Sequence, residues 1–134
     1  MKAYIAVNYK NRKNLSKELI AIGMALNGVN VESMIFVDQY LFDETNEREM
    51  MRQAMMEIDR CSFLVAECTY KGIGIGIEAG YAKAKKKPII YLRHISAEHA
   101  TTLAGISDVQ LLYSNPKDLF DQLSEFLSKA IVKK

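Results

Sequence analysis

A short glycine-rich segment carries the residues of this chain that are best suited to chemistry. Gly72, Gly74 and Gly76 follow a β-rich run that ends at Glu67, and Glu78 comes two residues after the last glycine. Glycine lets backbone N–H groups approach a ligand closely, and a helix N-terminus adds partial positive charge. The pattern predicts a loop that binds an anion or a polar sugar. Glu78 is expected in the first turn of the following helix, held ionised as a nucleophile requires.

Glu78 also has a purely structural interpretation. Glutamate in a first helical turn is common, and the helix dipole makes it worth only about 0.3–1 kcal/mol. The glycine spacing before Glu78 favours catalysis instead. A glutamate there can attack an anomeric carbon, as in retaining glycoside cleavage, while a second acid protonates the leaving group. By its position after the second predicted strand, Asp38 is the best candidate for that second carboxylate.

The segment from Gly74 to Ala79 also matches the relaxed dinucleotide-binding pattern G-x-G-x-x-A. It follows the third predicted strand, which leaves too little chain for the usual two-half fold. The next strand ends in Arg93 and His94, without an acidic residue for a ribose. Glu78 would also lie beside the pyrophosphate, where like charges about 4 Å apart cost roughly 1 kcal/mol even in water. A dinucleotide site is therefore not predicted.

β-Rich runs and amphipathic helical segments alternate along the chain, and these elements must position the candidate residues. Five such β–α units predict an α/β fold, a flavodoxin-like (Rossmann-like) three-layer sandwich with a five-stranded parallel sheet in the order 2-1-3-4-5. Gly28 is expected to end the first helix, and Pro116 to begin the last one. The predicted strands are Lys2–Asn8, Glu32–Val37, Ser62–Glu67, Pro88–Leu92 and Val109–Tyr113. The predicted helices are Leu15–Leu26, Asn46–Arg60, Gly76–Lys86, Ala97–Leu103 and Lys117–Ile131.

Ligands of such a sheet bind outside the carboxyl ends of the strands, near the switch between the first and third strands. Asn8 and Lys10 are expected at this edge, where both cap or solvate a loop unless a ligand binds there. Tyr4 lies within the first strand, where a buried tyrosine usually packs and its hydroxyl must still find a partner. His94 and His99 have no Ser, Cys or Asp at a recognisable spacing, so we expect both at the surface.

The composition indicates one ordinary globular domain, residues 1–134. A net charge of +2, without a basic helix face, gives no signature of nucleic-acid binding. Cys61 and Cys68 lack a second pair or a histidine cluster at metal spacing, so both are expected to be reduced thiols. No metal or cofactor is expected. The sequence shows neither a charged-then-apolar leader nor an apolar run of spanning length, and we expect a cytoplasmic protein without membrane contact.

Around Glu78 the chain resembles the nucleoside 2-deoxyribosyltransferase family, and within it the 2'-deoxynucleoside 5'-phosphate N-hydrolases. The resemblance extends from Tyr4 to about Ser114. Its specific part consists of three blocks, Val65-Ala-Glu-Cys-Thr, Gly74-Ile-Gly76-Ile-Glu78-Ala-Gly80-Tyr-Ala82 and Lys87-Pro-Ile-Ile. The resemblance implies a flavodoxin-like sheet and cleavage of the N-glycosidic bond between a base and deoxyribose. Glu78 matches the glutamate that forms the glycosyl-enzyme intermediate.

Other site residues are implied by the resemblance one by one. Tyr4 matches a tyrosine that positions or activates the nucleophile. Asn8 and Lys10 fall where the hydrolases hold the substrate's phosphate, and Gly72 falls where they use a serine for the same task. The resemblance further implies a nucleoside or nucleoside 5'-monophosphate as substrate. We expect the glycine-loop amides at Gly74 and Gly76, with Lys10, to hold its sugar-phosphate end.

The resemblance also implies a homodimer with shared active sites. Thr101 or Thr102, with Thr102 preferred here, falls near a serine that the partner subunit contributes. A methionine-rich predicted helix, with Met50, Met51, Met55 and Met56, has the flexible apolar side chains expected of core or subunit-interface packing.

One departure leaves the activity open. The family has an aspartate that handles the proton of the leaving base, and the corresponding positions here are Gln53 and Ala54. Asp38 or Glu57 could take its place. Three interpretations remain: an N-glycosidase or deoxyribosyltransferase, a nucleotide-binding or sensing module without catalysis, and a flavin-type electron carrier that the fold alone suggests.

Overall fold

Five parallel β-strands form one sheet in the computed structural model, which describes residues 1–40 and 43–131. The strand order is β2-β1-β3-β4-β5, so the predicted order and the flavodoxin-like fold class are confirmed. The central strands are apolar on both faces, as a sheet covered by helices on both sides requires. The strands are β1 (Lys2–Ala6), β2 (Glu32–Ile35), β3 (Phe63–Glu67), β4 (Ile89–His94) and β5 (Val109–Tyr113).

Helices cover the two faces of this sheet and create two separate cores. One core joins Ile5 of the sheet to Leu19 and Leu123, which lie in the first and last helices. The other core joins Tyr4 to Ala54 and Ala79 on the opposite face. The helices are α1 (Ser16–Asn27), α2 (Phe36–Gln39), α3 (Glu47–Arg60), α4 (Ile73–Ala84), α5 (Thr101–Ala104) and α6 (Pro116–Ile131), with a 3-10 helix at Tyr9–Leu15.

Most element boundaries agree with the sequence, and the exceptions lie near the candidate site. β1 ends at Ala6 because the Asn8 side chain accepts a hydrogen bond from the N–H of Asn11 and starts the 3-10 helix. The end of the predicted second strand folds instead as the short helix α2. α4 begins at Ile73, three residues before the predicted start. The predicted helix over 97–103 is reduced to the four residues of α5.

The helix ends that the sequence marks are confirmed at two places. Gly28 is the C-cap of α1, and its N–H donates to the carbonyls of Met24 and Leu26. Pro116 is the first residue of α6, where its missing N–H costs nothing. Within residues 1–40 and 43–131, no helix is long and apolar enough to cross a membrane.

Candidate active site

Glu78 and Tyr4 meet where α4 packs on β1. The Tyr4 hydroxyl donates a hydrogen bond to Oε2 of Glu78. Tyr4 is fully buried, with 0% of its surface exposed, whereas Glu78 is half-buried and lines a cavity. A rigid strand therefore fixes one oxygen of the carboxyl group, and the cavity gives the side chain access to a ligand.

Burial dominates the electrostatics of this pair. It raises the pKa of Glu78 from 4.5 to about 7, and the hydrogen bond from Tyr4 opposes part of that rise. The expectation that Glu78 is held ionised is therefore wrong, since near neutral pH the group is divided between its two forms. Burial, and next the charge of Glu78, raise the pKa of Tyr4 far above 10, so Tyr4 keeps its proton and acts as the donor.

The early start of α4 corrects the predicted position of Glu78. Because α4 begins at Ile73, Glu78 is its sixth residue and lies in the second turn, away from the end of the helix dipole. Gly74 lies one turn before Glu78 on the same helix face. A Cβ built at Gly74 meets no heavy atom within 4 Å. Gly74 therefore faces open space and lines the same cavity as Glu78.

A cavity of about 500 Å³ extends from Glu78 along the carboxyl edge of the sheet. This volume is in the range of small-molecule sites. Its polar end comes from the segment after β1 and the start of α4, and its apolar end from α2 and α3. The lining residues are Val7, Asn8, Tyr9, Lys10, Phe36, Val37, Tyr40, Met50, Met51, Ala54, Lys71, Gly72, Ile73, Gly74, Ile75 and Glu78.

The polar end of the cavity is built around Asn8. Its Oδ1 accepts from the N–H of Asn11 at 3.1 Å, and its Nδ2 donates to the carbonyl of Lys71 at 2.7 Å. The expected capping role of Asn8 is thus present. Gly72 is the N-cap of α4, and an added Cβ there would lie 3.2 Å from Nδ2 of Asn8. Lys10 and Lys71 are exposed and bring positive charge to this end.

The apolar end of the cavity was missed by sequence reasoning. Phe36 stacks on Tyr40 with ring centroids 4.7 Å apart, and on Tyr4 at 6.0 Å. Met50 and Met51 line the same end, so the predicted packing role of these methionines includes a cavity wall. The signal was present in the aromatic residues that follow β2, but the predicted strand included Phe36 and ended at Val37, before Tyr40.

Neither candidate for a second carboxylate lies in this cavity. Asp38 is bound by Arg12, whose Nε and Nη2 donate to its two oxygens at 2.7 and 2.9 Å. Glu57 is a buried residue of α3. It accepts a hydrogen bond from the Tyr40 hydroxyl at 2.8 Å, and its Oε1 lies 3.9 Å from Nζ of Lys2. Among the residues that the structure describes, Glu78 is the one carboxyl group that lines the cavity.

Two of the predicted substrate-binding residues lie elsewhere. Gly76 and Thr102 line a second cavity, of about 420 Å³, on the other side of the loop that ends at Gly72. Thr101 lies there too. The structure therefore brings Tyr4, Asn8, Lys10, Gly72, Gly74 and Glu78 together, and leaves Gly76 and Thr102 apart from them. A role of Thr102 in a partner's site stays a prediction.

The cysteines and histidines lie away from Glu78. Cys61 and Cys68 are buried and unpaired, and burial raises the pKa of the Cys61 thiol to about 11. His99 is exposed and contacts the Tyr91 ring, whereas His94 is half-buried and hydrogen-bonds through both ring nitrogens. No group of three or more metal-ligating side chains that could hold a metal ion occurs in the described ranges 1–40 and 43–131.

Comparison with curated proteins finds a relative that matches part of this chain. A protein of Syntrophotalea carbinolica named "Putative 2'-deoxynucleoside 5'-phosphate N-hydrolase 1" is 35% identical over 71 residues. The resemblance predicted from the sequence is confirmed. The match covers 51% of this chain and 45% of the relative, so the relative is aligned over less than half of its length. No family model matches the chain.

Solved structures with the same fold carry related descriptions. A CMP N-glycosidase from Clostridium botulinum superposes with a TM-score of 0.64 at 20% identity, covering 93% of this chain and 99% of that one. A 2-deoxyribosyltransferase from Bacillus psychrosaccharolyticus gives a TM-score of 0.66 at 14% identity, covering 90% of this chain and 91% of that one. At these identities the superpositions show the shared fold.

Proposed function

We propose that this protein cleaves the N-glycosidic bond of a nucleoside 5'-monophosphate, or transfers its sugar phosphate to a second base, with Glu78 as the nucleophile. The observation that carries the proposal is the hydrogen bond from the buried Tyr4 to a carboxyl group that lines a cavity of nucleotide size. The curated relative and the two solved structures are described as enzymes of this chemistry. Their names support the proposed reaction class, and the site geometry supports the proposed residues.

Glu78 is suited to attack because, within residues 1–40 and 43–131, only one of its oxygens is engaged. Tyr4 binds Oε2, which leaves Oε1 to approach C1' of the sugar. Glu78 must be ionised to react, and its pKa of about 7 makes this a basic carboxylate that is still available at neutral pH. Water or a second base then resolves the glycosyl ester, and these two acceptors define the hydrolase and transferase variants.

The polar end of the cavity fits the sugar-phosphate. The first N–H groups of a helix have no partner within the helix, and no side chain in the described part of the chain caps α4. These amides and the ammonium group of Lys10 suit a phosphate dianion. Lys71 is ion-paired with the exposed Glu98 at 2.9 Å, and this pair must open before Lys71 contacts the phosphate. The apolar end, with Tyr40 and Met50, suits a planar base.

A dimer with shared sites is the proposed assembly. Ile73 and Ile77 of α4 are 85% and 51% exposed, which suits burial against a second copy. Thr102 of the partner subunit would then complete the phosphate site that the resemblance implies. Light scattering should give twice the monomer mass, and a fully active monomer would exclude this arrangement.

The test of the proposed function is a covalent adduct. Protein incubated with a 2-fluoro-2-deoxynucleoside 5'-monophosphate should gain the mass of the fluorinated sugar phosphate on Glu78, because fluorine slows the second step. Glu78→Gln should give no adduct, while Glu125→Gln, on the exposed face of α6, should give as much as the wild type. Base release from natural nucleotides is followed by chromatography. Absence of both adduct and base release with every nucleotide tested refutes the function.

The non-catalytic alternative is favoured by one observation. Ala54 lies on the cavity wall at the position where the resemblance implies an acid. A binding module would retain the cavity without turnover. Calorimetry that shows tight nucleotide binding, with no product over hours, selects this alternative.

A further inference from the structure

The base end of the cavity poses a leaving-group problem. The Tyr40 hydroxyl lines this end, but it donates a hydrogen bond to Glu57, which raises the pKa of Tyr40. A neutral base that departs from C1' takes the bonding electron pair and becomes an anion unless an acid protonates it. Glu78 cannot supply that proton, since it must be ionised to attack. Within residues 1–40 and 43–131, no other carboxyl group lines the cavity, and Asp38 and Glu57 are held by their own partners.

The wall that faces the base is apolar and aromatic. Phe36, Tyr40, Met50, Met51 and Ala54 come from α2, α3 and the residue after α2. The lysines of the cavity come from other segments, Lys10 after β1 and Lys71 before α4. Aromatic rings attract an organic cation that lies over their faces. Methionine side chains are flexible and polarizable, and they adapt to the shape of a flat ring. The base end therefore has the composition that suits positive charge.

We propose that this cavity is selective for N-glycosides whose base carries a fixed positive charge, namely 5'-monophosphates of pyridinium or N-alkylated purinium nucleosides. The inference rests on the proposed function and names its substrate class. A cationic base needs no proton from the protein because it becomes neutral on departure.

The reaction balances without any further reactant. Oε1 of Glu78 forms a bond to C1', the bond from C1' to the ring nitrogen breaks, and its electron pair neutralises the nitrogen's charge. Water then attacks C1' of the ester, which restores the carboxylate. The products are the neutral base, the sugar 5'-phosphate and one proton released to solvent.

The experiment compares pairs of substrates that differ in the charge of the base. 7-Methyl-2'-deoxyguanosine 5'-monophosphate is paired with 2'-deoxyguanosine 5'-monophosphate, and nicotinamide mononucleotide with cytidine 5'-monophosphate, so that both sugars are covered. After subtraction of spontaneous hydrolysis, kcat/KM should be at least about 100-fold higher for the cationic member, since general acid help is worth about 10²–10⁴ in rate. Equal or faster cleavage of the neutral members overturns the inference and leaves the proposed function intact. Cleavage of neither, with no adduct on Glu78, refutes both.

A matched pair of variants tests the reason for the selectivity. Ala54→Asp places an acid on the base wall, and Ala54→Asn places a group of the same size without the acidic proton. The ratio of kcat/KM for the cationic substrate to kcat/KM for the neutral substrate should be at least about tenfold smaller in the aspartate variant than in the asparagine variant. If both variants change this ratio equally, the missing acid is not the cause of the selectivity. If either variant fails to fold, the comparison of wild-type substrates decides.

Discussion

Replacement of Tyr4 by phenylalanine should raise the pKa of Glu78 further. The Tyr4 hydroxyl donates to Oε2 of Glu78 and so favours the ionised form. A hydrogen bond to a charged group is worth about 1.5–3 kcal/mol, and about 1.4 kcal/mol corresponds to one pH unit. The pKa of Glu78, about 7 in the wild type, should therefore rise by roughly one to two pH units in Tyr4→Phe.

Carbon NMR of the labelled glutamate carboxyl groups measures this titration directly and does not depend on turnover. In an active protein, the rising limb of the pH–rate profile should move to higher pH by the same amount. Tyr113→Phe is the matched control, because the Tyr113 hydroxyl donates to a different buried carboxylate, that of Glu67. The reasoning is refuted if Tyr4→Phe leaves the pKa of Glu78 unchanged or lowers it, or if Tyr113→Phe shifts it equally.

Three further substitutions test other parts of the site. Gly74→Val should abolish nucleotide binding in calorimetry because the valine side chain fills open space in the cavity that Glu78 lines. The control Gly80→Ala, where an added Cβ also has no atom within 4 Å, should keep binding and stabilise the protein by about 0.5–1 kcal/mol. Binding retained by Gly74→Val would contradict this geometry. Because the folded-state pKa of Glu78 is raised, the stability that its protonated form contributes is complete below pH 4.5 and is lost as the pH rises through about 7. Glu78→Gln lacks this titration. Between pH 5 and pH 9 its free energy of unfolding, measured by denaturant titration, should therefore fall by up to about 3 kcal/mol less than that of the wild type. An unchanged pH dependence would show that Glu78 is not buried in this way. Asp38→Asn should leave activity within a factor of about two and lower the free energy of unfolding by at most about 1 kcal/mol, because Asp38 forms a surface ion pair with Arg12. A large loss of kcat would instead make Asp38 the missing acid.

The fold was predictable because its signals are local. Alternating β-rich and amphipathic segments fix the number of β–α units, and short connections leave few topologies for a parallel sheet. Pro116 marks the start of a helix by a property of a single residue, its missing N–H. Gly28 is the C-cap of α1 as predicted, although it keeps a helical φ of −62°. The start of α4 was not predictable in this way, since Gly72, Gly74 and Gly76 carry the same local signal. Gly72 differs from the other two glycines in its extended backbone, with φ −159° and ψ 143°, and in the Asn8 amide, which would lie 3.2 Å from an added Cβ.

The site was predictable only in part, because its chemistry depends on contacts that are distant in sequence. The resemblance supplied Glu78 and Tyr4, but their hydrogen bond spans 74 positions, and the burial that raises the pKa comes from the packing of α4 on the sheet. The base wall was missed for a related reason. Phe36 and Tyr40 are ordinary core-type residues by composition, and they line a cavity only because β2 ends at Ile35 and turns into α2.

A second buried tyrosine–glutamate pair allows a comparison between a structural carboxylate and the proposed nucleophile. Glu67, at the end of β3, accepts from the Tyr113 hydroxyl and from the N–H of Thr69, so both of its oxygens are engaged, and it has 0% of its surface exposed. Burial raises its pKa as well. Glu67 therefore shares the buried setting and the tyrosine donor with Glu78, yet no ligand can reach it. Among the described residues, the two pairs differ in access and in the second carboxyl oxygen, which is engaged in Glu67 and not in Glu78. The cavity beside Glu78 is therefore the feature on which the proposed nucleophilic attack depends.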